Sequence, residues 1–242
     1  MCTLSWWINA EQRGVLFNRD EKRTRSKGHP PRLVETDESA SNVLMPLDPD
    51  AGGSWIGVNE HGLIVALLNN YPHDQEQLEH QRSRGLLVLD LLQSCRTAAE
   101  CMQQLAATTL ANYRGFLLFA MGREGEPLAR EWAGKQLENL PLLEQGGLSV
   151  LTTSSVRRED CENYRRELFA HLPRSAEALR IAHQHYLSSD PALGPLMVRD
   201  DAATDSITEI TLNKAVAHMH YQGIHGKPPE IDQGTNHELK LT

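Results

Sequence analysis

The chain has 242 residues, of which 40% are hydrophobic and 23% charged, and its formal net charge is −8. This length can bury a core without disulfides, and the acidic balance excludes a nucleic-acid partner from our expectations, because phosphate binding needs a basic surface. No apolar run reaches the roughly 18 residues of a membrane-spanning helix, and residues 4–8 are too short for a secretory signal. We therefore expect a cytoplasmic protein without a transmembrane segment.

The first third of the chain predicts two β-hairpins separated by a long connection. A polar turn joins the first two apolar runs, and Gly62 supplies the turn of the second hairpin. Residues 19–53 are charged and rich in Pro, Ser and Asp, which is typical of a functional or mobile loop. The predicted strands here cover residues 3–8, 14–18, 32–35, 55–58 and 63–68.

The rest of the chain alternates pairs of helices with groups of strands. Apolar spacing predicts helices over residues 84–93, 97–108, 159–171 and 176–186. Alternating or continuous apolar runs predict strands over residues 116–121, 128–132, 148–153, 207–212 and 216–221. Helices and strands are segregated, which favours an α+β fold of two antiparallel sheets covered by helix pairs over a doubly wound sheet. We expect one domain over residues 1–222 and a poorly ordered tail over 223–242.

Cys2 is the first candidate for chemistry. If Met1 is removed, one residue carries both a thiol and a free α-amine, whose reference pKa of about 7.7–8.0 suits a base at neutral pH. Nucleophile and base then lie on the same carbon, as in N-terminal threonine hydrolases. The alternative interpretation is that Cys2 is merely the second residue of a buried strand.

Polar residues gather at the end of the second predicted strand, in the run Asn18-Arg19-Asp20-Glu21. Arg19 is expected to lower the pKa of the thiol or to hold a substrate carboxylate in a bidentate contact. Asp20 is expected to orient the α-amine of Cys2 as its anionic partner. The alternative is a solvated turn that carries an ion pair.

Two further polar segments are candidate parts of the same site. Asn69 and Asn70 follow an apolar strand, where an amide can donate to an oxyanion, and Gly52-Gly53 permits close approach of a ligand or a neighbouring strand. Thr153 and its neighbouring hydroxyls are placed to bind the Cys2 amine or a substrate. Both segments also fit simpler roles, as turns in the first case and as a helix cap in the second.

Metal and cofactor chemistry has little support in the sequence. Cys2, Cys95, Cys101 and Cys161 form no disulfide framework and are expected to be reduced thiols. The histidines at His218 and His220 lack a matching set of Cys or carboxylate residues. We therefore assign no metal and no cofactor.

The ordered set of motifs resembles the NRDE family, which is the family of transport and Golgi organisation protein 2. The resemblance extends to about residue 170 and lies in these segments: Met1-Cys2-Thr3, Asn18-Arg19-Asp20-Glu21, 52–59 with Gly62, Asn70-Tyr71, Ser83-Arg84-Gly85, 132–134, Ser154-Ser155-Val156 and 165–169. It implies a four-layer αββα sandwich of the N-terminal nucleophile hydrolase type.

A more distant likeness links the chain to bile salt hydrolases and penicillin V acylases, which also begin Met-Cys-Thr. By that match Cys2 is the nucleophile and Asn70 the oxyanion donor. We favour Asp20 as the residue that orients the amine, and we expect Asn18, Arg19, Asn69 and Thr153 to contact the substrate. The chain departs from these amidases in the order Asn18-Arg19-Asp20 and in Thr153, where they carry an asparagine.

The resemblance leaves two functions open. One is hydrolysis of a linear, non-peptide amide through an acyl-Cys2 intermediate, with a small-molecule amide as substrate. The other is non-catalytic binding or trafficking of haem or another apolar small molecule, since members of the family are linked to haem trafficking. The sequence indicates no oligomeric state.

Overall fold

The computed structural model describes residues 2–36, 40–71, 81–142, 149–173 and 175–242. In chain order, its strands are β1 (Cys2–Ile8), β2 (Arg13–Lys22), β3 (His29–Val34), β4 (Val43–Leu47), β5 (Ile56–Asn59), β6 (Ile64–Asn69), β7 (Phe116–Met121), β8 (Leu128–Trp132), β9 (Leu137–Asn139), β10 (Val150–Thr153), β11 (Ala202–Leu212), β12 (Val216–His225), β13 (Glu230–Ile231) and β14 (Thr235–Lys240). The helices are α1 (Arg84–Ser94), α2 (Ala98–Ala107), α3 (Arg158–Ala170) and α4 (Ala176–His183), with a short 3₁₀ turn at Leu110–Asn112.

The described strands form two antiparallel sheets of seven strands each. The first sheet has the order β10-β1-β2-β11-β12, and both β13 and β14 pair with β12 along its far edge. The second sheet follows the chain without a crossover, from β3 to β9. Strand β1 therefore lies inside the first sheet, between β10 and β2, rather than at an edge.

The residues of strand β1 are buried on both faces of the sheet. Successive side chains of a strand point to opposite sides of the sheet. Leu4 and Trp6 belong to the core between the two sheets, whereas Trp7 packs with the apolar residues of α3 and α4 on the outer side. The sequence of a strand that is covered on both faces is a nearly continuous run of apolar residues, which explains the hydrophobic start of the chain.

Helices α1 and α2 cover the outer face of the second sheet, and α3 and α4 cover the outer face of the first. Three of the four begin at a side-chain cap: Ser83 accepts from Gly85 N, Thr97 from Glu100 N and Ser175 from Ala178 N. The order of layers is therefore helix, sheet, sheet, helix. This confirms the predicted α+β fold with αββα layers. Within the described residues, no helix combines the length and the apolarity needed to cross a bilayer.

The two predicted hairpins are confirmed by the pairing of β1 with β2 and of β5 with β6. Gly62 in the second turn has a φ of 76°, a conformation that favours glycine. Asn59, just before this turn, donates its side-chain amide to the carbonyls of Leu92 and Cys95. The hairpin thus satisfies carbonyl groups at the end of α1 that the helix leaves open.

Three sequence predictions of secondary structure were wrong. Residues 19–53 are no simple connection, because β2 continues to Lys22 and both β3 and β4 lie in this stretch. Helix α4 ends at His183 rather than at residue 186. Residues 223–242 were expected to form a poorly ordered tail, yet β14 pairs with β12 over six residues, from Val216↔Lys240 to Tyr221↔Thr235. The prediction failed because β14 gains its stability from backbone pairing at a sheet edge and buries only Leu239.

Candidate active site

Cys2 begins β1 and lies opposite Arg19 of β2 and Thr153 of β10. Only 4% of the residue is exposed. A cavity of about 290 Å³ reaches Cys2 at this end of the sandwich, where β2, the β4–β5 connection, the end of β6 and the start of α1 come together. The thiol is thus buried in the fold but borders a space of the size that a small molecule occupies.

The surroundings of Cys2 keep its thiol protonated. Burial raises the pKa of Cys2, and the carboxylates of Asp20 and Glu21 act in the same direction. A hydrogen bond from the backbone N–H of Asp20 opposes them by lowering that pKa. A thiol of this kind becomes a nucleophile only when a base beside it takes the proton.

Asp20 is buried in a network on the helix side of the first sheet. Its Oδ1 accepts a hydrogen bond from Thr204 Oγ1 at 2.7 Å, and its Oδ2 lies 3.6 Å from Nη1 of Arg165. Desolvation raises the pKa of Asp20, while the Arg165 guanidinium and the Thr204 hydroxyl lower it. Both side chains of the Asp20–Arg165 pair are fully buried. Burial removes much of the favourable hydration of the two charges, so such an ion pair needs further contacts that fix its geometry.

Arg165 is held by three further contacts. Its Nε donates to the carbonyl of Leu193 at 3.0 Å, and its Nη1 donates to the hydroxyls of Thr3 and Thr152 at 3.1 and 3.3 Å. Helix α3 thereby places a positive charge beneath β1 and β10. The position of Asp20 next to Cys2 follows from this arrangement.

Two buried oxygen atoms around Cys2 have no hydrogen-bond partner among the described residues. They are Oδ2 of Asp20, which lies too far from Arg165 for a hydrogen bond, and Oγ1 of Thr153. A buried polar atom without a partner costs about 1–3 kcal/mol. Both residues flank the strand that begins with Cys2, so the polar groups there are arranged for a donor that they do not receive from the rest of the described chain.

Arg19 also lines the cavity, but its charge is already balanced. Its Nη1 lies 2.7 Å from Asp205 Oδ2, and its Nη2 lies 3.5 Å from Glu21 and 3.8 Å from Asp48. The guanidinium stacks over the ring of Trp55, 4.4 Å from its centre. These contacts leave Arg19 little capacity to hold a substrate carboxylate, which was one of its two predicted roles.

Asn18 does not face the cavity. Its Nδ2 donates to the carbonyls of His183 and Pro195, and its Oδ1 lies 2.7 Å from Nδ1 of His183. Since this Oδ1 can only accept, His183 carries its proton on Nδ1, and its Nε2 accepts from the hydroxyl of Ser5. The observed contacts therefore give Asn18 a role in joining β2 to α4, and they do not support its predicted contact with substrate.

The two asparagines at the end of β6 point to different places. Asn69 lines the cavity, and its Nδ2 donates to the hydroxyl of Tyr71 at 3.3 Å. Asn70 is buried, and its Nδ2 donates to Oε1 of Glu131 at 2.6 Å. Among the described residues that line the cavity, Asn69 is present and Asn70 is not.

Gly53 is needed for packing against α1. A Cβ at this position would lie 2.2 Å from the carbonyl carbon of Gly85, and Ser54 N donates to Gly85 O at 3.1 Å. The paired glycines were predicted to permit close approach of a ligand or a neighbouring strand; the approach observed is that of the start of α1 to Gly53. This contact brings the start of α1, with Ser83 and Arg84, to the cavity.

Comparison with known proteins adds the family to this geometry. The model of the family described as Transport and Golgi organisation 2 matches residues 1–187. The chain belongs to this family. The family is the NRDE family indicated by the sequence, so the predicted membership is confirmed. No curated protein sequence matches the chain.

Solved structures with the same fold are N-terminal nucleophile hydrolases. The penicillin V acylase from Agrobacterium tumefaciens is 15% identical with a TM-score of 0.54, covering 92% of this chain and 83% of its own. The N-acylethanolamine-hydrolyzing acid amidase orthologue from Caenorhabditis elegans is 12% identical with a TM-score of 0.61, covering 87% and 92%. A mutant conjugated bile acid hydrolase from Clostridium perfringens is 13% identical with a TM-score of 0.54, covering 100% and 97%. At these identities the likeness shows the fold, and it confirms the predicted fold class.

Sequence reasoning gave no role to Arg84 or Arg165, although both lie in segments that resemble the Transport and Golgi organisation 2 family. Arg165 is fully buried, and Arg84 lines the cavity. The available signal for Arg165 was a charged residue at helical spacing from Cys161 and Phe169, which lie on the buried side of α3. For Arg84 the signal was weaker, because a helix start is an ordinary place for a charged side chain.

Metal ligands are not gathered anywhere in the described part of the chain: no three His, Cys, Asp or Glu side chains come close enough to hold an ion. His218 instead pairs with Glu238 at 3.1 Å, on strands β12 and β14. The four cysteines are unpaired. The chemistry available to this cavity from the described residues is that of a thiol, carboxylates, guanidinium groups and amides.

Proposed function

We propose that this protein hydrolyses a linear, non-peptide amide through an acyl intermediate on Cys2, with the α-amine of Cys2 as the base. The observation that carries the proposal is the pair of partnerless buried oxygens, Asp20 Oδ2 and Thr153 Oγ1, on the two sides of the Cys2 strand. An α-ammonium group at Cys2 has three N–H donors, and a hydrogen-bond donor is what both of these atoms lack among the described residues. The proposal requires that the peptide bond before Cys2 be cleaved.

The first half of the reaction follows from the position of the thiol. The free amine takes the proton from Sγ of Cys2, and the thiolate attacks the amide carbonyl carbon of the substrate. The tetrahedral intermediate collapses when the carbon–nitrogen bond breaks, and the ammonium group returns its proton to the leaving amine. The products are a thioester on Cys2 and a free amine.

The second half releases the acid. A water molecule gives a proton to the same α-amine and attacks the thioester carbonyl carbon. The carbon–sulfur bond breaks, the sulfur regains a proton, and the carboxylic acid leaves. Asp20 stabilises the positive charge on the amine during both halves, which explains why a carboxylate is placed where burial disfavours it.

The oxyanion of the tetrahedral intermediate needs a donor on the cavity side of Cys2. We assign this role to Asn69, which lines the cavity and has a second amide N–H group beside the one that it donates to Tyr71. Asn70 is absent from the described lining, and it donates to the carboxylate of Glu131. The predicted role of Asn70 is thereby replaced by support of the strand end. Loss of one oxyanion donor typically lowers kcat by about 100- to 1,000-fold, so Asn69→Ala is expected to lose far more activity than Asn70→Ala.

Activity of two matched cysteine variants tests the proposal. N-acylated small amines, N-acylated amino acids and p-nitrophenyl acetate are incubated with protein whose first residue is verified by mass. We expect turnover by the wild type, none by Cys2→Ala, and nearly normal turnover by Cys161→Ala, whose buried thiol lies on α3. Equal loss in both variants, or turnover that survives in Cys2→Ala, would contradict the proposal.

Binding of haem is the alternative function. The described residues that line the cavity include Cys2 as a thiol but no histidine, and charged side chains outnumber apolar ones. These lining residues offer a hydrophobic, iron-bearing ligand few apolar contacts and no imidazole for the iron, so the hydrolase is the better supported proposal. Titration with haem distinguishes the two: a saturable Soret shift that Cys2→Ala abolishes would favour the binding protein. A cytoplasmic location remains part of the proposal.

A further inference from the structure

Three arginines and three acids are among the described residues that line the cavity: Arg19, Arg25 and Arg84, and Asp20, Glu21 and Asp48. Arg19 and Arg25 both line it, and both are bound to acids: Arg19 to Asp205, and Arg25 to Asp48 at 2.6 Å. Arg84 lines it as well, yet it forms no ion pair with any described residue. Its one hydrogen bond goes from Nη1 to the carbonyl of Gly115 at 2.7 Å.

The contact with Gly115 fixes Arg84 without neutralising it. A neutral carbonyl accepts one N–H group, and the guanidinium keeps its remaining donors for another acceptor. Ser83 caps the first turn of α1, and the close packing of Gly85 on Gly53 holds the same turn from the other side. Arg84 is therefore held in place before any ligand arrives.

The electrostatic surroundings of Arg84 also favour the binding of an anion. Burial lowers its pKa, and the nearby guanidinium of Arg114 lowers it further. Tyr71, Cys2 and Glu21 act in the opposite direction and raise that pKa. Because no acid forms an ion pair with Arg84 in the described chain, its charge is available to a ligand at the wall of the cavity that holds the thiol.

We propose that Arg84 binds a carboxylate of the substrate, so that the substrates are small amides that carry a negative charge, such as N-acylated amino acids. This inference rests on the proposed function and names its substrate class. Arginine is suited to the task because its planar fork matches the two oxygens of a carboxylate.

The size and lining of the cavity agree with a small, polar substrate. Its volume of about 290 Å³ lies at the lower end of small-molecule sites, which span roughly 300–1,000 Å³. The large apolar surface on its wall, the ring of Trp55, is covered by the guanidinium of Arg19. A long acyl chain or a steroid would find little free apolar surface there, whereas a short charged molecule matches both volume and charge.

Binding of charged and neutral probes tests the inference without any turnover. Isothermal titration calorimetry on full-length Cys2→Ala measures the Kd of N-acetylglycine, N-acetyl-β-alanine and N-acetyl-γ-aminobutyrate. The matching primary amides of these acids serve as neutral probes of nearly equal shape. The three chain lengths sample different separations between the amide and the carboxylate.

We expect at least one acid to bind about 10- to 100-fold more tightly than its neutral amide, as a charge-assisted contact implies. Adding Arg84→Gln should abolish this preference, and Arg84→Lys should restore part of it. Arg82→Gln is the matched control, because Arg82 lies two residues away but is exposed and paired with Asp90 at 2.6 Å. It should leave the preference unchanged.

Three outcomes overturn the inference: no acid is preferred over its amide, the preference survives Arg84→Gln, or Arg82→Gln removes it equally. Circular dichroism of each variant shows whether it folds. Binding is measured without turnover, so failure of this inference can be told apart from failure of the proposed function. Acid-selective binding without any turnover by the wild type would leave the anion site intact and contradict the hydrolase alone.

Discussion

Cys2 depends on residues that are distant in the chain. Asp20 lies on the neighbouring strand, Thr153 on the strand at the other side, and Arg165 on the helix that follows. Each of these is buried, so none adjusts freely to a missing partner. The site therefore behaves as a unit, in which the carboxylate of Asp20 is useful only while Arg165 holds it beside β1.

Asp20→Asn is expected to lower kcat/KM by about 100-fold or more, because an amide cannot stabilise the charged amine. Burial raises the pKa of Asp20 above 3.8. Since the ionised form is needed, wild-type activity should fall as pH decreases through a value above 3.8. The pH profile of Asp20→Asn should lack this acid limb.

Asp201→Asn is the control for this change, because Asp201 is exposed and its side chain binds Arg199 in the described part of the chain. A normal profile is expected for it. If Asp20→Asn keeps both the rate and the acid limb, Asp20 has no part in the reaction.

His183 gives the fold a dependence on pH that is separate from the reaction. Desolvation, with the nearby charge of Arg165, lowers its pKa from 6.5 to about 3. Below pH 6.5 His183 binds a proton in the unfolded chain but not in the folded chain. The stability that neutral His183 contributes is therefore fully present above pH 6.5 and is lost as pH falls toward 3. Between these two pH values the free energy of unfolding falls by about 1.4 kcal/mol for each unit by which the pH decreases.

Unfolding by denaturant at pH 7 and pH 5 measures this effect. The free energy of unfolding of the wild type should fall by about 2 kcal/mol more between these values than that of His183→Gln. His29→Gln, at an exposed position on β3, should follow the wild type. Parallel curves for the wild type and His183→Gln would show that His183 is protonated in the fold.

At the scale of elements, the contact between the β4–β5 connection and α1 sets the shape of the cavity. Gly53 and Gly85 touch through backbone atoms, which cannot be displaced by a change of rotamer. The same turn of α1 carries Arg84. Stability and ligand binding should thus be coupled at this contact.

Gly53→Ala is expected to reduce the free energy of unfolding by about 1–3 kcal/mol, as overpacking does, and to weaken anion binding with it. A Cβ at Gly122 meets no atom closer than 3.6 Å, so Gly122→Ala should change neither quantity. Denaturant unfolding and calorimetry measure the two effects. Unchanged stability in Gly53→Ala would mean that α1 is free to move.

The sequence predicts those elements whose burial is visible in local apolar runs. Strands β1, β2, β5, β6 and β7 were predicted because both of their faces, or one continuous face, are apolar. Strand β14 was missed because its sequence is polar and its position is set by pairing with β12. Its stability comes from a partner that no local pattern reveals.

The residues of the candidate site divide in the same way, into those that the local sequence marks and those whose contacts depend on distant residues. Cys2 and Asp20 were predicted because chain position and a known motif mark them. The commitment of Asn70 to Glu131 and of Arg19 to Asp205 could not be predicted, since each pairing joins residues far apart in sequence. For the same reason, that no acid of the described segments pairs with Arg84 is visible only in the folded chain.

At the scale of the whole molecule, two sheets and two helix pairs bring four separate segments to one end of the sandwich. The first hairpin supplies the thiol and the carboxylate, β10 a hydroxyl, α1 a cation and α3 the buried guanidinium. The fold is shared with amidases of low sequence identity. Within this chain, the cation that α1 brings to the cavity wall is the basis of our proposal that the substrates are small anionic amides.

Mass analysis of the protein quenched with acid during turnover of p-nitrophenyl acetate tests the central claim most directly. The account predicts a mature chain that begins at Cys2 and carries one acetyl group, which peptide mapping assigns to the sulfur of Cys2. A chain that retains Met1 while it is active, or an acetyl group found only on Cys95, Cys101 or Cys161, would contradict it.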